Sequence, residues 1–234
     1  MFMFEEKSGT DSWCCILNLL HSFISLPEQK DMKLWTLQLI LVTLLFCTAC
    51  TKMREHSLLP DVELKAGDVV LRCGNGVTGR VVRYADGGGA YSHVGIVVDS
   101  AGVMMIVHAV PDEHDFQGDV DRVKMDYPDM FFSSIRTNNG RVLRSADSVA
   151  AAKAASVAYE IYRRGVLFDH DYDISDTTKM YCSELVEFVY RKTSGVSITE
   201  DRRRSVNLPA IEYDDVIFPS DFIESGRLRT IVAF

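Results

Sequence analysis

A chain of 234 residues with 47% hydrophobic and 25% charged residues can bury one sizeable core, or a core with a small appendage. Its formal charge of −8 excludes a protein that wraps nucleic acid through phosphate contacts, and its longest basic run, Arg202-Arg203-Arg204, is soon followed by Glu212, Asp214 and Asp215 and reads as a solvated loop.

In chain order, residues 1–31 read as an upstream over-extension of the frame, because a secretory signal works from the extreme N-terminus. Residues 32–49 carry that signal: Met32-Lys33 is a short basic start, residues 34–46 form an apolar run too short to span a bilayer comfortably, and Thr48-Ala49 precede Cys50. The stretch Cys47-Thr48-Ala49-Cys50 resembles a lipoprotein box with Cys where Leu is usual, which makes Cys50 the expected lipidation site and the cell envelope the expected location, with membrane attachment through an N-terminal lipid. An uncleaved anchor helix is the alternative. Residues 50–63 are polar, carry Pro60 and read as a tether; residues 64–234 form the domain. Once Cys14, Cys15 and Cys47 are removed and Cys50 is modified, Cys73 and Cys182 remain, too few for a disulfide framework. With Cys47 removed, no Cys-x-x-Cys pair is left to suggest structural zinc.

Within the domain, Val69-Val70-Leu71-Arg72-Cys73 predicts a strand, residues 74–79 a loop, and Gly87-Gly88-Gly89 a flexible cleft rim. YSHVGIVVD (residues 91–99) and VMMIVHAV (residues 103–110) flank a short loop and predict a hairpin. With a two-residue turn at Ser100-Ala101, His93 faces His108 directly on one side of the sheet. Residues 112–129 read as acidic and irregular, and residues 141–144 as a further strand. Residues 145–164 are Ala-rich and predict a helix ending at Gly165; CSELVEFVYRKT (residues 182–193) predicts a second, ending at Gly195. This pattern is α+β with an antiparallel sheet packed against helices.

The chemistry gathers on Cys182. A thiol at a helix N-terminus is favoured as thiolate by the unpaired N–H groups and the dipole, and those N–H groups could hold an acyl-transfer oxyanion. A facing pair of imidazoles supplies a base, His93, and a group to orient it, His108. Against this stands a plain core cysteine with two core or surface histidines. Asp169, Asp171 and Asp173 alternate as in a calcium loop, but Ile174 and Met180 replace the required Gly and Glu, so the segment reads as structural. His114 and His170 have no partner at ligand spacing and read as surface residues. Tyr91 could donate to an oxyanion but reads as packing, and Ser183 and Glu184 satisfy the first helical turn.

The segments GDVVL (67–71), YSHVGIV (91–97), VHAVP (107–111), GVLFDHDYD (165–173) and YCSELV (181–186) together resemble the permuted papain-like amidases of the YiiX/YaeF kind, relatives of the NlpC-type cell-wall hydrolases, over roughly residues 64–195. The resemblance implies a permuted papain-like fold in which the His strand precedes the Cys helix, with Cys182 as nucleophile, His93 as base and His108 in the orienting position. There many YiiX-like members carry an acid, and the lecithin:retinol acyltransferase-like relatives a His. It implies a cysteine hydrolase working through an acyl-enzyme with no metal or organic cofactor. Cell-wall peptide is the favoured substrate and an N-acyl or ester lipid the competitor. Two rival readings stay open: an envelope binding module that has lost activity, and a Cys73–Cys182 disulfide that silences the thiol.

Overall fold

The computed structural model describes residues 55–208 and 211–234. The segment expected to be a signal, together with Cys14, Cys15, Cys47 and Cys50, lies outside the described residues.

The β-branched run after Asp68 forms β1 (Val69–Gly74), which sits inside an eight-stranded sheet. Its neighbours are β2 (His93–Ser100) and β5 (Thr137–Ser145), both antiparallel to it. The sheet continues from β2 through β3 (Val103–Val110), β4 (Arg122–Asp126), β6 (Leu167–Phe168) and β7 (Lys179–Met180), and on the other side ends at β10 (Leu228–Ala233). Among the described strands, only β6 and β7 pair in parallel.

Alternation along these strands makes two apolar faces. Val69, Leu71, Val94, Ile96, Val98 and Val107 join the larger core, shared with α3 (Ser148–Arg163) and α4 (Cys182–Ser194). Val70, Val97, Ile106 and Val142 join a smaller one under Phe131 of α2 (Pro128–Phe131) and its neighbour Phe132. The Asp147 carboxylate caps α3 by accepting from Val149 and Ala150 N–H (3.1 and 2.9 Å). Its inward residues are mostly alanines, so the chain comes very close: a Cβ built on Gly67 (φ 89°) would lie 2.4 Å from the Ala151 carbonyl oxygen. Gly67→Ala therefore combines a left-handed backbone with a clash against helix backbone. We expect it to lower unfolding free energy by about 2–4 kcal/mol, read as a reduced midpoint in urea denaturation; an unchanged midpoint would show that the helix slides away freely.

Several expectations change. The hairpin turns at Ala101 (φ 56°) and Gly102 (φ 88°), pairing Ser100 with Val103 and Ile96 with Val107. Glycine takes the second left-handed position, one residue later than expected. Every cross-strand partner shifts by two, so His108 stands across from Gly95 rather than His93, but both histidines keep the same face. Residues 77–85, expected to begin within a loop, form α1 (Val77–Ala85), a helix with no buried residue. The acidic stretch contains β4, whose charged positions are paired across space. Arg204 is no free loop residue: it opens β8 (Arg204–Leu208) and donates to Asp86 Oδ1 (2.6 Å) just after α1 and to Asp221 Oδ1 (3.0 Å) in α5 (Pro219–Glu224). β9 (Ile211–Val216) completes a small hairpin with β8. Part of the expected tether also belongs to the domain, since Leu58 N–H donates to Phe132 O (2.9 Å) and Leu59 and Leu64 pack on the smaller core.

Candidate active site

Cys182 is the first residue of α4, following Tyr181 in extended backbone at the N-cap. Two features fix this helix head. Glu184 Oε2 accepts the Tyr181 N–H (3.2 Å), and the Tyr181 hydroxyl accepts from Ile217 N–H (2.9 Å). Glu184 thus serves the helix start, while the buried Ser183 hydroxyl lies 3.9 Å from the Cys182 sulfur. The Cys182 side chain is half-buried, and the backbone N–H of Val94 lies against its sulfur. That contact sets the thiol beside the residue that follows His93.

His93 is the first residue of β2, so its ring sits at the end of the sheet, bordering the same cleft as Cys182. His93 Nε2 lies 2.8 Å from His108 Nδ1, with the rings edge-on and Phe131 packed against both. Gly95 makes this possible: a Cβ there would come 3.2 Å from the His108 Cβ. The cross-strand slip is thus absorbed by a residue without a side chain.

Behind His108 stands a group that sequence reading missed. His108 Nε2 is 3.3 Å from Asp126 Oδ2, which accepts from Arg136 (2.6 Å). Glu113 bridges Arg136 (2.9 Å) and the buried Arg72. The available signal was the alternation of β4, where Val123 points to the larger core while Lys124 and Asp126, both buried, share the His108 face. Burial opposes ionisation of Asp126, but the His108 contact and the cations Lys124 and Arg136 outweigh it and hold the carboxyl below the ordinary range. An ionised carboxylate only accepts, so it keeps a proton on His108 Nε2. His108 Nδ1 must then accept from His93 Nε2–H, and the free lone pair of the relay falls on His93 Nδ1.

Electrostatics depart from the expected thiolate–imidazolium pair. Burial pushes the Cys182 thiol up, against the opposing pull of the Val94, Ser183 and Cys182 amides. Burial, then the charge of Arg72, holds His93 well below its usual value, and burial also lowers His108. The resting pair is therefore neutral. Cys73 is buried, and among the described residues both it and Cys182 are free thiols.

Cys182 and His93 open into a cavity of about 530 Å³ whose walls come from α1, the β3 end, β8–β9 and the start of α5. The family model for permuted papain-like amidases, YaeF/YiiX, family C92, matches residues 63–232. The chain belongs to this family. A solved structure, the metalloprotein YiiX from Escherichia coli O157:H7, superposes with a TM-score of 0.60 at 17% identity, covering 74% of this chain and 99% of that one. At that identity the likeness shows the fold alone. No curated protein matches the chain significantly. The permuted order is visible here, the histidine strands β2 and β3 preceding the cysteine helix α4.

The other sequence candidates take other roles, although His170 also lines the cavity. Asp169 Oδ1 and Oδ2 accept from the N–H groups of Asp171 (2.9 Å) and Asp173 (2.7 Å), a structural turn. Tyr91 is buried and accepts from Arg141 through its hydroxyl (3.2 Å), which places it in packing. Gly87-Gly88-Gly89 do not line the cavity; α1 does. His114 and His170 do have a partner, one carboxylate: Asp121 lies 3.3 Å from His114 Nε2 and 3.1 Å from His170 Nε2. Spacing along the chain could not reveal a pairing made through the fold.

Proposed function

We propose that this C92-family protein is a cysteine hydrolase cleaving an amide through an acyl-enzyme, with Cys182 as nucleophile, His93 as base and His108 and Asp126 as positioning residues. The supporting observation is one cleft bordered by a helix-head cysteine and by a histidine whose ring is held at 2.8 Å by a second histidine.

Because thiol and imidazole start neutral, the proton moves as the bond forms. Cys182 Sγ attacks the carbonyl carbon and its proton passes to His93 Nδ1. Backbone N–H groups at the head of α4 take the oxyanion. As the C–N bond breaks, His93 returns that proton to the leaving amine. Water then attacks the thioester, giving one proton to His93, which passes it back to the departing sulfur. His108 and Asp126 hold the imidazole in the tautomer that leaves Nδ1 free and offset its transient charge.

A chloromethyl ketone should attach one equivalent that peptide mapping places on Cys182. Cys182→Ala removes this label, His93→Ala slows it by about 10²-fold or more, and Cys73→Ala leaves it intact because that side chain is only 1% exposed. Simple alkylation by iodoacetamide, which needs thiolate, should rise only above the free-thiol pH of about 8.5, since burial raises the Cys182 thiol. Labelling indifferent to His93 would leave only a binding module on a hydrolase fold.

A further inference from the structure

One face of α1 runs against the usual pattern of a surface helix. Val77, Arg80, Val81 and Tyr84 recur at i, i+3, i+4 and i+7 and so form a single stripe. All four are exposed, Val77 by 66% and Tyr84 by 74%. The helix meets the domain on its other side, where Ala85 packs against the larger core and Asp86, just beyond the helix, is buried. The outward stripe is thus the apolar one, with a guanidinium set in it. Ile135, 49% exposed, extends the patch beyond the helix. Asn75, two residues before α1, holds it there, donating through Nδ2 to the Ile135 carbonyl (3.3 Å) and through its backbone N–H to the Arg136 carbonyl (3.0 Å).

A second observation says what covers this patch. The described residues start at the same corner of the domain. Ser57 pairs antiparallel with Ser133, Ser134 N–H donates to His56 O (2.9 Å), and Ser133 Oγ donates to Glu55 Oε1 (2.7 Å). Glu55 therefore stands beside the residues that Asn75 ties to the start of α1. It follows the expected lipidation site, Cys50, by five residues, and the apolar run of residues 34–46 lies just upstream. Five extended residues reach roughly 18 Å at most. An anchor at Cys50 would keep this corner within that distance of a bilayer. A single acyl anchor holds only marginally, and a second contact makes attachment lasting. The stripe has the composition for one: valines to enter the headgroup boundary, a tyrosine of the type enriched at membrane interfaces, and an arginine to meet lipid phosphate.

We propose that the domain docks on an anionic phospholipid bilayer through the outer stripe of α1 and Ile135, as a second contact beside the N-terminal anchor. This contact needs no catalytic event and is independent of the hydrolase reading above.

The test uses the full chain carrying Tyr84→Trp, read as the difference from the unsubstituted chain, whose own tryptophans are Trp13 and Trp35. With vesicles of phosphatidylcholine and phosphatidylglycerol, the difference emission should shift to the blue. Lipids brominated near the headgroup end of the acyl chain should quench it. Adding Val77→Asp should abolish the quenching, and adding Arg80→Glu should raise the lipid concentration at half-quenching by about fivefold or more. Both side chains are exposed, so neither change should move the urea midpoint. A chain that floats with the vesicles while the introduced tryptophan stays unquenched is held by its N-terminus alone and overturns the proposal. Blue emission present without lipid and insensitive to bromine shows the stripe covered by the chain's own apolar segment or a second copy, and also overturns it. Quenching that survives Val77→Asp, or neither flotation nor quenching, does the same.

Discussion

Replacing His93 with alanine is expected to lower kcat by about 10²- to 10⁴-fold, the range for loss of a general base, with little change in KM. Asp126→Asn should fall roughly 10²-fold or more through the same relay, although Asp126 lies two groups removed from the sulfur. The reason is tautomeric. Asp126 fixes the proton on His108 Nε2, which in turn fixes the proton on His93 Nε2; a neutral amide can donate as well as accept and no longer enforces the order. Removing the carboxylate also removes negative charge that favours imidazolium, so the acid limb of kcat/KM should move to lower pH. A residue that only supported the fold would lower stability without moving that limb.

The second large effect concerns Arg72. It is buried, ion-paired to Glu113, donates to the Phe131 carbonyl (3.0 Å) and stacks over that ring at 4.6 Å. Arg72→Met should cost about 3 kcal/mol in urea denaturation, because Glu113 loses a partner in a partly buried network. It should also act on chemistry. After burial, the Arg72 charge is the next cause that depresses His93, so its removal lets the imidazole rise toward 6.5. A base works only when unprotonated, so activity is lost as pH falls through the His93 value. In the native protein the acid limb therefore lies below 6.5, and in Arg72→Met it moves upward, opposite to Asp126→Asn. Identical limbs in the two variants would remove the charge argument. The same depression carries a stability cost in acid: below about 6.5 the unfolded chain binds protons on His93 and His108 that the fold refuses, so stability declines as pH drops through that value.

Much of this arrangement is legible in short-range pattern. A β-branched run gives β1, period-two alternation gives the β2–β3 hairpin, and a helical apolar stripe behind Cys182 gives α4 with the sulfur at its head. The pairing of the two histidines survives an error in the turn because a slip of two residues preserves strand parity, and Gly95 then lets the rings meet. Asp126, by contrast, sits in a stretch whose composition suggests an acidic loop. Its role depends on Arg136 ten residues on, Lys124 beside it, and a histidine in another strand.

What the sequence by itself determined is therefore the set of elements and the faces their side chains take, since strand and helix periods are written in neighbouring residues. Only the tertiary structure decided the charge state of the thiol and imidazole, the carboxylate that orders the relay, and the walls of the cleft. Those properties come from burial and from partners brought together across the fold, and α1 with β8 and α5 reads as ordinary surface until Asp86 and Arg204 join them into one wall.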